Sequence, residues 1–215
     1  LLATDRFRLS QRELSWDPDS DDISAAALVP ARVLGDTAKS LSGGAEITIA
    51  LSTTGSGEGV IGFEGTVAGG SRRTTTRLLD GEFPKVRSLF PSENLTTARI
   101  DRGQLVDSLK RVALVADRNT AVQMAFADGV LTLDAGSGED AMASESLEAS
   151  IEGDDITTGF NPQYLLDGLG VIESPFVELA FTQASKPVVI CGLDSLEGEP
   201  ASEFKYLLMP RRLLS

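Results

Sequence analysis

Residues 161–181 read NPQYLLDGLGVIESPFVELAF, and this stretch decides the fold because an earlier part of the chain repeats its pattern. Asn161 is a residue type that caps helices, and Pro162 suits the first helical position. The apolar residues that follow fall at helical spacing, whereas residues 177–181 alternate as a strand does. The stretch therefore predicts a helix followed by a strand.

The earlier stretch, residues 29–51, reads VPARVLGDTAKSLSGGAEITIAL. Pro30 opens a second predicted helix, the Gly43-Gly44 pair ends it, and residues 47–51 alternate as a strand. Two more strands are predicted in each copy: residues 60–63 and 74–79 after a glycine-rich turn at 55–59, and residues 186–191 and 204–209. Corresponding positions lie between 128 residues (Ile61 and Val189) and 132 residues (Pro30 and Pro162) apart. Four elements in one order at nearly one offset indicate two copies of one domain.

The second copy has additional elements in front of its helix. Asp101 and Gln104 have the spacing of a capping box, and an apolar helical stripe follows up to Ala116. Residues 121–127 and 129–135 are predicted strands joined by a turn at Asp128, and residues 146–151 suggest a further strand. The same elements in the first copy would precede residue 1, so we expect the chain to begin partway through a domain. The predicted domains are residues 1–94 and 95–215.

This pattern of helices and mostly antiparallel strands predicts an α+β fold. If the copies stand side by side, their sheets form the outer side of a curved wall and their helices line the inner side. Arg32, Lys39, Lys110 and Arg111 lie on the predicted helices. They are either ordinary surface cations or groups that meet phosphate without reading base sequence.

The composition excludes several classes of protein. The 215 residues carry a net charge of −13 and contain no histidine, and Cys191 is the single cysteine. These numbers exclude four classes: a basic DNA-wrapping protein, histidine-dependent catalysis, a histidine zinc site and a disulfide scaffold. We expect no metal and no cofactor: the carboxylates Glu139, Asp140 and Glu145 match no calcium loop and indicate a solvated segment. Without an apolar run of membrane-spanning length, a reducing, cytoplasmic setting is expected.

Three segments together resemble the bacterial DNA sliding clamp, the β subunit of the replicative DNA polymerase III, in an actinobacterial form. They are ATDRFRL (residues 3–9), LLDGEFP (residues 78–84) and YLLMPRRL (residues 206–213). The resemblance covers nearly the whole chain. It implies three such domains in each copy of the protein, two copies closed head to tail around duplex DNA, and a chain that supplies part of the middle domain and the whole third domain.

The resemblance also implies a cleft beside the C-terminus, where short linear motifs with a glutamine and aliphatic or aromatic anchors dock. The cleft residues that it implies are Thr4, Arg6, Phe7, Arg8, Leu9, Pro84, Ser88, Leu89, Leu207, Leu208, Met209, Pro210, Arg211 and Arg212. Arg6, Phe7 and Arg211 depart from the family's pattern, which has small or imidazole side chains at the first two positions and apolar ones at the third.

The same resemblance places Arg32, Lys39, Lys110 and Arg111 against DNA, and Leu114 and Val115 at the dimer contact of the complete protein. The partners that it implies are duplex DNA, DNA polymerase III, the clamp loader, other polymerases, ligase and repair proteins. The implied location is the nucleoid. The implied role is that of a non-enzymatic processivity factor. The alternative is a hydrolase that depends on paired carboxylates; binding of clamp-motif peptides without hydrolysis would distinguish the two.

Overall fold

The computed structural model describes residues 1–20, 23–53, 59–91, 93–116, 120–136 and 141–213. The chain divides into two compact units. The larger unit combines Leu1–Ser15 with Val86–Ser215, and the smaller unit is Trp16–Lys85. The domain boundary between residues 94 and 95 was predicted from the sequence repeat. It stays a prediction for the domains of the complete protein.

Short helices and strands alternate along the described residues. The α-helices are α1 (Ala31–Leu41), α2 (Arg102–Val112) and α3 (Pro162–Gly170), and short 3-10 helices cover Arg87–Leu89 and Ala113–Val115. The strands are β1 (Leu2–Thr4), β2 (Arg8–Arg12), β3 (Ile47–Thr53), β4 (Gly59–Val67), β5 (Gly70–Arg77), β6 (Thr96–Asp101), β7 (Val122–Ala127), β8 (Val130–Ala135), β9 (Ala143–Glu148), β10 (Ser150–Gly153), β11 (Ile156–Phe160), β12 (Phe176–Phe181), β13 (Val188–Leu193) and β14 (Phe204–Leu208). No α-helix among the described residues is long and apolar enough to cross a bilayer.

The larger unit contains two antiparallel sheets. One has seven strands in the order β1-β2-β14-β13-β12-β6-β10, and the other has four in the order β11-β7-β8-β9. The predicted turn between β7 and β8 is confirmed: Asp128 and Gly129 have φ angles of 52° and 76°, as a two-residue hairpin turn requires. The antiparallel sheets with packed helices confirm the α+β class.

The two helices of the larger unit begin at the predicted caps. The Asp101 carboxylate accepts a hydrogen bond from the Gln104 backbone N–H at 2.8 Å, and the Asn161 side chain accepts from the N–H groups of residues 163 and 164. Leu109 of α2 and Leu169 of α3 are fully buried in the core against the sheets. The predicted α2 stripe ran to Ala116, but the α-helix ends at Val112, and a tighter 3-10 turn follows.

The smaller unit packs α1 on the three-stranded antiparallel sheet β3-β4-β5. A helix followed by three consecutive antiparallel strands is also the order of α3, β12, β13 and β14, so the predicted repeat is confirmed. Ile47 and Ile49 are 45% and 60% exposed, although Val177 and Leu179, which match them in the repeat, are fully buried. The two strands differ in position: β12 lies between β13 and β6, whereas β3 is at the edge of its sheet and pairs only with β4 among the described residues.

Strand β5 begins before the predicted residue 74. Gly69 and Gly70 turn the chain with positive φ angles, and pairing with β4 then starts at once. In this polar segment, Arg73 is paired with Glu64 across the two strands, and its guanidinium lies 2.8 Å from the Glu64 carboxylate. Most of the predicted glycine-rich turn at 55–59 lies outside the described residues.

Candidate functional site

The turn between β1 and β2 is held by its own side chains. Asp5 Oδ1 accepts hydrogen bonds from the backbone N–H groups of Phe7 and Arg8, at 3.1 and 3.0 Å. Thr4 Oγ1 accepts from the Arg6 N–H and donates to the Arg8 carbonyl. Arg6 adopts a φ angle of 79°, in the left-handed region that a non-glycine residue rarely occupies. The turn therefore holds its residues in a fixed conformation.

Arg8 lies between two carboxylates and an aromatic ring. Its Nε is 2.9 Å from Asp5 Oδ2, its Nη1 is 2.6 Å from Asp167 Oδ2, and its guanidinium carbon lies 4.4 Å from the centre of the Tyr164 ring. Burial favours the neutral form of Arg8, but hydrogen bonds to Asp167, Asp5 and Tyr206 outweigh it and raise the pKa. Charge-assisted hydrogen bonds and a cation–π contact thus fix the guanidinium.

The pKa values of both carboxylates are lowered by this arrangement. Burial alone would raise the pKa of Asp5, but the hydrogen bonds from Arg8 and the turn N–H groups bring it below its ordinary value. Burial would also raise the pKa of Asp167, but the hydrogen bonds from Arg8 and Gln163 bring it below its ordinary value. Burial raises the pKa of Tyr206, whose hydroxyl donates to the Tyr164 carbonyl at 2.8 Å. At neutral pH the two carboxyl groups are therefore ionised, whereas the Tyr206 hydroxyl keeps its proton and can donate it.

An open groove of about 450 Å³ lies over this cluster. Phe204 and Val171 are among its apolar lining residues, and Thr4, Asp5 and Asp167 are among its polar ones. Arg8 reaches the groove from β2, and Asp167 reaches it from α3. A concave surface with apolar walls and a few fixed polar groups is suited to binding a ligand.

The structure brings several predicted cleft residues together in the larger unit. Thr4 and Arg8 line the groove. Phe7 is 56% exposed and Met209 is 39% exposed. The Met209 N–H donates a hydrogen bond to the Phe7 carbonyl at 2.9 Å, which holds the two residues side by side. Leu207 is paired with Leu9 across β14 and β2, and both are buried.

Other predicted cleft residues lie elsewhere or are buried. Leu208 is fully buried in the main hydrophobic core. Successive side chains of β14 face opposite sides of the sheet, and Leu208 is on the side of that core. Leu89 is exposed on a 3-10 helix beside Ser88, and Pro84 belongs to the smaller unit. In the tail, the Arg211 N–H donates to the Gly159 carbonyl at 2.8 Å. Pro210 is half-buried, and Arg212 is exposed.

Sequence reasoning missed four residues of this cluster: Asp5, Tyr164, Asp167 and Tyr206. Tyr164 and Asp167 are three residues apart on α3, a spacing that puts two side chains on one helix face. That spacing was visible in the sequence, but Arg8 is 159 positions away from Asp167. Nothing local could show that these residues meet.

The four predicted DNA-facing cations differ in their surroundings. Arg32, Lys39 and Lys110 are exposed. Arg111 is also exposed, but it forms two hydrogen bonds of 2.6 Å with the Glu145 carboxylate, a closer contact than the 3.9 Å between Arg32 and Asp36. The hydrogen bond from Arg111 lowers the pKa of Glu145 to about 2. Arg111 is therefore held in a solvent-exposed ion pair, whereas Lys110 is not paired with any described residue.

The predicted dimer residues lie in the 3-10 helix that follows α2. Leu114 is 85% exposed, whereas Val115 is half-buried and packs against the core. Cys191 is buried in β13, and burial raises the pKa of its thiol to about 11. Glu139 and Asp140 lie outside the described residues.

Comparisons with known proteins match both units. Residues 87–212 match the model of the C-terminal domain of the DNA polymerase III beta subunit, and residues 1–85 match the model of its central domain. A beta sliding clamp of Streptomyces coelicolor is 51% identical over 213 residues, which are 99% of this chain and 56% of that protein. The actinobacterial resemblance is thereby confirmed.

Solved structures of DNA polymerase III beta subunits also match the chain. The DNA polymerase III beta subunit of Thermotoga maritima matches with a TM-score of 0.82 and 26% identity, over 99% of this chain and 54% of that one. The DNA polymerase sliding clamp of Bacillus subtilis matches with a TM-score of 0.83 and 26% identity, over 99% and 53%. The chain spans about half the length of the relatives it matches. With both domain models matched in order along it, the chain belongs to the DNA polymerase III beta subunit family.

Proposed function

We propose that the complete protein is a DNA polymerase processivity factor, a ring-shaped clamp that encircles duplex DNA and has no catalytic site of its own. The observation that carries this proposal is the match of two consecutive clamp domains across residues 1–85 and 87–212. The hydrolase alternative is not supported: the matched proteins are clamps, and Arg111 holds Glu145 as an ion pair.

In this proposal the ring forms as a homodimer, with Leu114 and Val115 at the contact. Arg32, Lys39, Lys110 and Arg111 face the phosphates without reading base sequence. DNA polymerase III, the clamp loader, other polymerases, ligase and repair proteins dock through linear motifs at the cleft. Such a protein would work at the nucleoid.

In the larger unit, the proposed cleft is the surface around Phe7, Arg8 and Met209. Two exposed apolar side chains lie beside a groove with fixed polar groups, which is the arrangement that a short peptide with apolar anchors requires. Of the other assigned residues, the larger unit also contains Thr4, Arg6, Ser88, Leu89, Pro210, Arg211 and Arg212, which stay part of the proposed cleft. Leu9, Leu207 and Leu208 are buried and are not available to a peptide in this structure.

We expect Met209→Ala to weaken binding of a glutamine-containing clamp-motif peptide about five- to tenfold, as loss of an apolar anchor contact does. Pro210→Ala should weaken it in the same direction. The measurement is fluorescence anisotropy with the full chain, together with a thermal melt that shows unchanged folding. Met142→Ala is the matched control because that methionine is 73% exposed in the same unit. Equal affinity in the parent and the Met209 variant would count against the cleft assignment.

We expect Lys110→Glu in the complete protein to shorten its retention on circular DNA and to reduce the salt dependence of binding by about one counterion for each copy in the ring. Lys110 is the better probe on α2 because Arg111 is paired with Glu145. Lys186→Glu makes the same charge change at an exposed position between β12 and β13 and is the control. Retention at the parent level in Lys110→Glu would show that α2 does not face DNA.

A further inference from the structure

The C-terminal tail, residues 209–213, follows β14 and is bonded to the rest of the larger unit at two points. The Met209 N–H donates to the Phe7 carbonyl at 2.9 Å, and the Arg211 N–H donates to the Gly159 carbonyl at 2.8 Å. Pro210, between the two bonds, has no N–H to satisfy and a fixed φ angle. The tail is therefore held at both ends, on the β1–β2 turn and on β11.

Gly159 is a buried glycine in β11, at one edge of the four-stranded sheet. The neighbouring Phe160 lies in the hydrophobic core, so position 159 faces the opposite side of the sheet. The φ angle of Gly159 lies outside the left-handed region, and other residue types could adopt its backbone conformation. Since glycine weakens a strand interior, a close approach by another part of the chain is the remaining reason for it.

The part of the chain that approaches Gly159 is the side chain of Leu213. A Cβ added to Gly159 would lie 2.6 Å from Leu213 Cδ2 and 3.1 Å from Ala121 Cβ. Carbon atoms in contact are about 3.5–4.0 Å apart, so a Leu213 methyl group occupies the space that a side chain at position 159 would need. Leu213 is 37% exposed, and most of its surface is covered. We call Gly159 and Ala121 the tail seat.

We propose that Gly159 is a positioning residue for the C-terminal tail: Leu213 docks in the tail seat, and the docked tail holds Met209 and Pro210 in place for the proposed cleft. The inference rests on the proposed function where it concerns peptide binding. Gly159 acts through the tail and not through a contact with the peptide. Without the seat, the tail would be fixed at Met209 alone, and its residues would have to be ordered whenever a peptide binds, which lowers affinity.

The test uses the full chain and follows tryptic cleavage after Arg211 and Arg212 by the mass lost from the C-terminus. Trypsin requires an extended, unbonded segment, so the cleavage rate reports how often the tail leaves its seat. Gly159→Ala should raise this rate about tenfold, because a largely covered leucine loses its contact. It should also weaken binding of a glutamine-containing clamp-motif peptide about two- to tenfold, measured by fluorescence anisotropy. Gly170→Ala, with nothing within 4 Å of its added Cβ, is the control and should change neither quantity.

A second background separates docking of the tail from a general effect of the added methyl group. In Leu213→Ala the seat is already empty, so Gly159→Ala should raise the cleavage rate there by less than about twofold. Equal rises in the two backgrounds, or no rise in the parent background, overturn the tail seat. Urea denaturation of each variant shows that faster cleavage does not reflect global unfolding.

The peptide measurement separates this inference from the proposed function. Faster cleavage of Gly159→Ala with unchanged peptide affinity overturns the positioning role and leaves the peptide site standing. A parent chain that binds no peptide contradicts the proposed cleft and the positioning role together. The cleavage rates then still decide whether Leu213 docks at Gly159.

Discussion

Gly168→Ala lowers the free energy of unfolding by about 1–3 kcal/mol, the usual cost of forcing a methyl group into a packed interior. Gly168 lies in α3 directly against the ring of Tyr206, and an added Cβ would stand 2.5 Å from its Cδ1. Tyr206 is 4% exposed and cannot move aside without breaking its hydrogen bond to the Tyr164 carbonyl. In an open helix the same substitution stabilises by up to about 1 kcal/mol, so packing reverses the expected sign.

Gly170→Ala is the matched control for this substitution. It lies on the same helix, and nothing stands within 4 Å of its added Cβ. Urea denaturation of the two variants should show a loss for Gly168→Ala and no loss for Gly170→Ala. Because the Tyr206 hydroxyl bonds to the Tyr164 carbonyl beside Arg8, the Gly168 variant should also bind the clamp-motif peptide more weakly. A Gly168 variant as stable as the parent would mean that α3 and β14 are less tightly packed than described.

Arg8→Met lowers the free energy of unfolding by about 1–2 kcal/mol at neutral pH, since two charge-assisted hydrogen bonds and a cation–π contact are lost. The side chains of Asp5 and Asp167 are 42% and 43% exposed, and solvent screening keeps the loss to this size. The stabilisation depends on pH with a definite sign. The pKa of each carboxyl is below its ordinary 3.8 in the folded chain, so the contribution is complete above that pH and disappears as pH falls through the lowered values.

The difference in stability between the parent and Arg8→Met should therefore shrink as pH falls below 3.8. Denaturation curves at several pH values between 7 and 2.5 measure it. Arg12→Met is the control on the same strand, because Arg12 has a 3.4 Å ion pair with Glu203 in which the two side chains are 48% and 70% exposed. It should change stability little at any pH. A difference for Arg8→Met that does not vary with pH would show that the two carboxylates do not act through Arg8.

Local sequence signals predicted the fold well where a feature depends on neighbours along the chain. The caps Asp101 and Asn161 follow from side chains that bond to backbone groups two or three residues away. The turn at Asp128 follows from the positive φ angles that Asp and Gly tolerate in a two-residue hairpin turn. The end of α2 was placed too late because the apolar stripe continues after Val112, although the α-helical hydrogen bonding does not. The start of β5 was also misplaced, since cross-strand pairing with β4 overrides a polar local sequence.

The candidate site could be predicted only in part. The segments around Arg8 and Met209 were identified by their resemblance to the family, whereas Asp167 and Tyr206 were not. Their roles come from contacts between α3, β2 and β14, which are far apart in sequence. The burial of Leu208 could not be predicted for the same reason, because its neighbours in the chain do not show that its side chain faces the core.

The amino-acid sequence by itself determined the duplicated helix-and-strand pattern, the helix starts and the exclusion of histidine chemistry, because each depends on residue type and spacing along one segment. Only the tertiary structure decided that Arg8 lies between Asp5 and Asp167, that Arg111 is paired with Glu145, and that both leucines of β14 are buried. Those outcomes depend on which strands pair and on which helix covers them, and a single segment of sequence does not contain that information.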